Sequence, residues 1–134
     1  MTENNKRPWA GYVVTSVPIL FLLMDAVGKF VKPDAVVTGT VELGYQESVI
    51  VPLGIVLLLS LIIYVVPKTS VLGAILLTGY LGGAVATHVR IGNPLATHIL
   101  FPVYIGIFVW LGLYLRDPRV RELLPLRVTN RSDV

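Results

Sequence analysis

Four stretches of the chain are almost free of polar residues, and short polar segments separate them: 9–30, 48–66, 71–90 and 95–115. Each is long enough to be a membrane-crossing helix. Residues 9–30, roughly 22 residues at 1.5 Å each, reach about 33 Å, which covers a hydrocarbon core of about 30 Å. The second stretch is aliphatic from Ile55 to Val66 except for Ser60 and Tyr64. A water-soluble bundle would need a polar face on each helix, and none of these stretches has one.

The punctuation is equally plain. Trp9 and Tyr12 open the first stretch, where aromatic rings favour a membrane interface. Pro67-Lys68-Thr69-Ser70 predicts a tight turn, with proline stopping one helix and Ser70 available to cap the next. Gly92-Asn93-Pro94 predicts another turn. Residues 31–45 form a longer loop, whose spaced Val36, Val37, Val41 and Leu43 permit a short helix lying along the membrane surface. Short turns between long helices imply antiparallel neighbours. The expected fold is therefore all-α: an integral membrane, up-and-down four-helix bundle (9–115), with a polar N-terminal tail (1–8) and a basic, partly disordered C-terminal tail (116–134). The first stretch follows Lys6 and Arg7, as a signal peptide would. It is too long for a signal core and has no small-residue cleavage site, so it is read as a retained helix.

Composition sharpens the picture. Of 134 residues, 54% are hydrophobic and 14% charged, and the mean hydropathy is +0.76. The formal charge of +3 suggests nucleic acid only until the basic residues are placed. They flank the apolar stretches and build no separate patch, so nucleic acid is excluded as a partner and they are read as topology signals. Lys6, Arg7, Lys68, Arg116, Arg119, Arg121, Arg127 and Arg131 fall on one side of an up-and-down bundle; Lys29, Lys32 and Arg90 fall on the other. The positive-inside rule puts both termini in the cytoplasm. The chain has no cysteine, which excludes disulfides, thiolate metal sites, CxxC redox chemistry and thioether haem attachment.

The third stretch is rich in small residues. Gly79 and Gly83 are spaced as GxxxG, and Gly82 with Ala86 repeats the interval. Such spacing lets helices approach closely in lipid. It fits packing inside the bundle, and it also fits a seam for a homodimer or a partner membrane subunit.

Ionisable residues in a membrane are expensive and need a reason. Under the up-and-down topology, Asp25, Lys29, Glu47, His88, Arg90 and His98 all fall in one layer near the outer face. Asp25 and Lys29 are one helical turn apart and neutralise each other locally. On the third helix Tyr80, Gly83 and Thr87 share a face, with Arg90 near its edge. Asp25 and His88 are the candidate acid/base pair. Lys29, Glu47, Tyr80, Thr87, Arg90 and His98 are the candidate ligand-binding residues, with Arg90 holding an oxygen or anion. The competing reading is a purely structural cluster, in which Arg90, Lys29 and Glu47 snorkel to headgroups, Asp25 and Lys29 pair, and His98 caps the fourth helix. The two histidines lie on different helices with no supporting ligand motif, so no metal site is assigned. No phosphate loop, dinucleotide fingerprint or nucleophile elbow is present, and the sequence assigns no cofactor.

Residues 73–90, Gly-Ala-Ile-Leu-Leu-Thr-Gly-Tyr-Leu-Gly-Gly-Ala-Val-Ala-Thr-His-Val-Arg, resemble the signature of the DoxX-like family of small bacterial membrane proteins. The context agrees: Asp25, Lys29 and Pro33 in the first segment, Leu43-Gly44-Tyr45 before the second helix, and Tyr64-Val65-Val66-Pro67-Lys68-Thr69 at the turn. The resemblance spans about residues 12–115. It implies a four-helix membrane fold, a bacterial inner-membrane location and no general reaction. One distant relative is named as a subunit of a thiosulfate:quinone oxidoreductase, and others are associated with resistance to catechols or oxidants. The fold also resembles that of vitamin K epoxide reductases, whose cysteine pairs have no counterpart here. Two functions follow as expectations. One is binding, with acid/base conversion, of a lipophilic molecule of quinone, isoprenoid or epoxide type. The other is a non-catalytic membrane subunit or assembly factor of a redox complex. A small exporter or channel is weaker, since the inner half of the membrane offers little polar lining beyond Ser60, Tyr64 and Thr78.

Overall fold

The structure, a computed structural model, describes residues 2–124. It is all-helical over this range. Four helices are long and apolar enough to cross a membrane, the spans being Pro8–Val31, Glu47–Val65, Pro67–Ile91 and Leu95–Arg116. No more than 33% of any span is buried inside the protein. The outward remainder, with residues such as Leu20, Met24, Leu59, Leu72 and Ile107, is a surface for lipid.

Helix α1 covers Thr2–Val31, so the stretch from Thr2, expected as a polar tail, is helical and runs ahead of the span that begins at Pro8. Lys32 then adopts a left-handed backbone, φ 56°, and Pro33 leads into α2, Asp34–Glu42, which buries no residue. The short helix permitted by the loop's apolar spacing is therefore formed. After a 3-10 turn at Glu47–Val49, α3 runs Ile50–Val65. A second 3-10 turn, Pro67–Thr69, leads to α4, Ser70–Ile91. Ser70 does not cap it: the residue lies within the helix and its hydroxyl donates to the Val66 carbonyl at 3.0 Å. Gly92, φ 80°, closes α4 in the left-handed region, where glycine carries no side-chain penalty. The fourth span opens with a π-helical turn, Leu95–Ile99, and continues as α5, Phe101–Arg116. Past Arg116 the chain folds again as α6, Pro118–Leu123, a helix not expected of the C-terminal tail. Arg127 and Arg131, and the disorder expected there, lie outside the described residues.

In the bundle α1 packs on α3 and α5, and α4 packs on α3 and α5. Helices α1 and α4 thus stand diagonally opposite. Leu22, Ala26, Leu57, Leu61, Tyr64, Leu77, Val109 and Leu113 form the core. Hydroxyls inside the spans return to their own helix: Ser60 donates to Val56 and Thr78 to Ala74, each at 2.7 Å. In hydrocarbon no water would satisfy them. Thr78, its proton so used, accepts the Trp110 indole N–H at 2.7 Å and ties α5 to α4.

The end of the bundle where α1 begins and α5 finishes is tightly closed. A Cβ on Gly73 would overlap the Tyr64 backbone, and one on Gly112 would overlap Thr15. Tyr64 is fully buried and donates to the Val109 carbonyl at 2.7 Å, while the Arg116 guanidinium lies 5.2 Å from its ring centroid, within cation–π range. The glycines singled out for close packing behave differently. Gly79, Gly82 and Gly83 have nothing within 4 Å of a Cβ position, so the GxxxG stripe is not a packing seam within the chain. The backbone contact in α4 is made one and a half turns earlier, by Gly73.

Outside the spans, Asp117 caps α6 by accepting the Arg119 backbone N–H at 2.9 Å. Arg119 also donates from its guanidinium to Asp117 and, at 3.1 Å, to the Pro67 carbonyl. These bonds hold the Asp117 carboxyl below its usual range, the Arg119 side chain being the main cause. Arg121 donates to the carbonyls of Tyr114 and Leu115, which the end of α5 leaves open.

Two outcomes follow. Gly73→Ala is expected to destabilise the protein by about 1–3 kcal/mol, as overpacking does, whereas Gly82→Ala is neutral or stabilising by up to about 1 kcal/mol; thermal unfolding in detergent measures both. Asp117→Ala is expected to cost about 1 kcal/mol as a lost cap. Because the folded carboxyl titrates below its unfolded value, its contribution is present at neutral pH and disappears as pH falls through the acid range. Wild type and variant should therefore differ at pH 7 and draw together only as pH falls below the ordinary carboxylate range.

Candidate functional site

At the other end of the bundle the diagonal between α1 and α4 opens into a cavity of about 410 Å³. Its body is apolar: Phe21 and Leu22 from α1, Leu53 from α3, Leu81 and Ala84 from α4, and Phe101, Pro102 and Ile105 from the fourth span. Phe21 and Phe101 meet edge to face at 4.9 Å and close the α1–α5 wall. Gly79 and Gly83 line the α4 side. With no side chains there, they leave space where larger residues would fill the cavity.

Polar groups gather at the cavity's end. Asp25, Lys29, Tyr80, Thr87 and His88, five of the expected residues, all line it. Lys29 Nζ lies 2.6 Å from Asp25 Oδ1, and the pair is one helical turn apart, as its spacing predicts. Gly54 allows this placement, because a Cβ there would press on Lys29 Cβ at 2.9 Å. Thr87 donates to the Gly83 carbonyl at 2.8 Å. Its one proton is thereby committed, so at the 2.7 Å contact with Tyr45 the tyrosine hydroxyl is the donor. That bond holds the 43–45 segment over the cavity, where Thr40, Leu43 and Tyr45 form a roof. Gly44, φ 89°, makes the turn that brings Tyr45 inward.

Beyond the Asp25–Lys29 pair lies a second, more polar space of about 460 Å³, bounded by α2, Asn93 and His98. It shares Asp25, Lys29, Thr40, Leu43 and His88 with the first cavity. His88 and His98 meet edge to face with centroids 5.7 Å apart. The Asn93 amide nitrogen lies 2.8 Å from His88 Nδ1. An amide nitrogen only donates, so Nδ1 accepts and the neutral ring carries its proton on Nε2. Among the described residues no group of three His, Cys, Asp or Glu side chains is arranged to hold a metal ion.

Two candidates are elsewhere. Arg90 lines neither cavity; its Nη2 donates to the Leu43 carbonyl at 2.8 Å, so it fastens the roof. Glu47 is exposed and pairs with Lys32 at 3.3 Å. His98 lines only the second space, and its Nδ1 contacts the Thr97 hydroxyl at 2.8 Å; it does not cap α5, whose N-cap is Leu100. Tyr45, Thr40 and Asn93 were not singled out by sequence. Their signals were weak but present: a tyrosine directly after a turn glycine, and an asparagine directly after the glycine that ends a helix.

Together these features define a four-helix integral membrane protein with a polar-capped cavity at one end. Residues 13–112 match the DoxX-like family, and the chain belongs to it. No curated protein matches the chain, and no solved structure does.

If Arg90 serves the roof alone, Arg90→Ala should speed amide exchange over residues 34–45 while changing ligand affinity in the apolar cavity by less than about threefold, under 1 kcal/mol. A large affinity loss with an unchanged roof would return Arg90 to the site.

Proposed function

We propose that the protein binds a small lipophilic molecule of quinone, isoprenoid or epoxide type, taken from the bilayer, with its polar end at Asp25, Lys29 and His88. The observation that carries this reading is the 410 Å³ cavity, apolar along its body and polar at one end. Ligand sites of this size commonly combine a greasy wall with a few orienting polar groups. Asp25, whose side chain is 37% exposed, and His88 are the groups available for proton transfer should the bound molecule be converted. The bias of lysine and arginine toward the closed end supports an outer-face position for the site and cytoplasmic termini, as in a bacterial inner membrane.

A non-catalytic subunit is the second reading. The bare stripe at Gly79, Gly82 and Gly83 favours it, because a partner helix, or a second copy of the chain, would find room there. The two readings separate at adjacent residues, since Gly83 lines the cavity and Gly82 does not. A naphthoquinone, farnesol and an alkyl epoxide are suitable probes for the protein in nanodiscs. Under the ligand reading at least one binds, Gly83→Leu weakens it about tenfold or more, Asp25→Asn or His88→Ala costs about 1–3 kcal/mol of affinity, and Gly82→Leu leaves it unchanged. Absence of binding by all three, combined with loss of complex formation in Gly82→Leu, would replace it by the subunit reading.

A further inference from the structure

The two spaces that meet at Asp25, Lys29 and His88 differ in character: the first is walled by aliphatic and aromatic side chains, the second by α2 and the polar ends of α4 and the fourth span. A ligand that fills both has a tail and a head. What head the second space accepts is decided by its charges and its uncommitted hydrogen-bonding groups.

Arg90 lines neither space; it donates from Nη2 to the Leu43 carbonyl, so its guanidinium sits at the roof and offers neither space a lining cation. Lys29 is held against Asp25 at 2.6 Å, which cancels one carboxylate. Glu42 also lines the second space and has no salt-bridge partner among the described residues. Thr40 commits its proton to the Val36 carbonyl at 2.7 Å, so its oxygen faces the space only as an acceptor. Across this end of the bundle Asp25, Asp34, Glu42 and Glu47 stand against Lys29, Lys32 and Arg90, an excess of one negative charge with both histidines neutral. An anionic head would meet this excess and the acceptors Thr40 and Glu42. A donor head would satisfy both.

Resting on the cavity reading above, and narrowing its ligand class because a quinone or epoxide oxygen only accepts, we infer that the occupant is a single-tailed amphiphile whose head donates hydrogen bonds and carries no negative charge, an alkylammonium in preference to an alkyl alcohol. Its tail lies between Phe21 and Gly83, and its head sits past the Asp25–Lys29 pair among Thr40, Glu42 and Asn93. Opposite charge at close range and the hydrogen bond act together there, while an anion loses on both counts.

The test uses three probes with one tail, tetradecylammonium, tetradecanol and tetradecyl sulfate. Each is added below its micellar concentration to the full chain in zwitterionic nanodiscs at neutral pH, and bound ligand is counted by native mass spectrometry. The ammonium is expected to bind about tenfold or more tighter than the sulfate, with the alcohol between them. Glu42→Gln, on an exposed residue of α2 where folding is not at stake, should narrow the gap between ammonium and sulfate by about threefold or more and leave the alcohol unchanged. Asp25→Asn should act in the same direction if the variant folds. Sulfate binding as tight as the ammonium, or a gap untouched by Glu42→Gln, overturns the head-group inference while the cavity reading survives. If none of the three binds while farnesol, the naphthoquinone or the alkyl epoxide does, the head-group inference fails and the cavity reading survives; if none of the six binds, or if binding is indifferent to Gly83→Leu, the cavity reading itself fails.

Discussion

Gly73 lies so close to Tyr64 that no side chain fits between α4 and α3, and Tyr64 in turn reaches across the core to the Val109 carbonyl of α5. With Gly112 against Thr15, these contacts draw all four spans together at one end. Lipid supplies no hydrophobic force between helices, so close backbone approach and internal hydrogen bonds hold such a bundle. Farther along α4 the same kind of contact is missing: Gly79, Gly82 and Gly83 face open space. Cinched at one end and unfilled on its diagonal at the other, the bundle leaves a cavity, and Asp25, Lys29, Tyr80, Thr87 and His88 line it.

The tolerance of charge at that end has a local explanation. Asp25 and Lys29 neutralise each other within one turn of α1, and Gly54 lets α3 close over the pair. Replacing either partner would leave the other an uncompensated charge near hydrocarbon. Thr87, Tyr45 and Gly83 form a chain in which each proton has one destination, and Asn93 does the same for His88. The roof is fastened by Arg90 at Leu43 and by the Tyr45–Thr87 bond. It is joined to the bundle through two left-handed residues, Lys32 and Gly44, so its position depends on a few polar contacts and on no buried apolar residue of α2.

How much of this was legible in the chain differs by residue. The Asp25–Lys29 pair follows from spacing alone, because residues four apart on a helix share a face. That Tyr80, Thr87 and His88 join them follows from the antiparallel order of the spans, which brings the end of α4 to the end of α1. Arg90 illustrates the limit. Its place in the layer was readable, but a long side chain has many directions, and the Leu43 carbonyl that captures it belongs to a loop whose path no periodicity encodes. Glu47 is similar, since its partner Lys32 is set by a left-handed turn. The glycine stripe fitted two readings, packing within the bundle and a seam for a partner, for a related reason. A GxxxG spacing says that a close approach is sterically allowed, and it does not say which neighbour, if any, makes it.

By itself, then, the chain determined what depends on solvent and local geometry: four apolar runs of membrane-crossing length, the turns at Pro67 and Gly92, the Asp25–Lys29 pair, and the lack of any cysteine. Hydrophobicity and helical rise decide these one segment at a time. Only the tertiary structure decided that Gly73 rather than Gly79 makes the helix contact, that a cavity stands on the α1–α4 diagonal, that Tyr45 and Asn93 complete the polar cap, and that Arg90 fastens its roof at Leu43. Each depends on how distant segments meet in space, and such contacts involve groups whose sequence separation leaves no periodic trace.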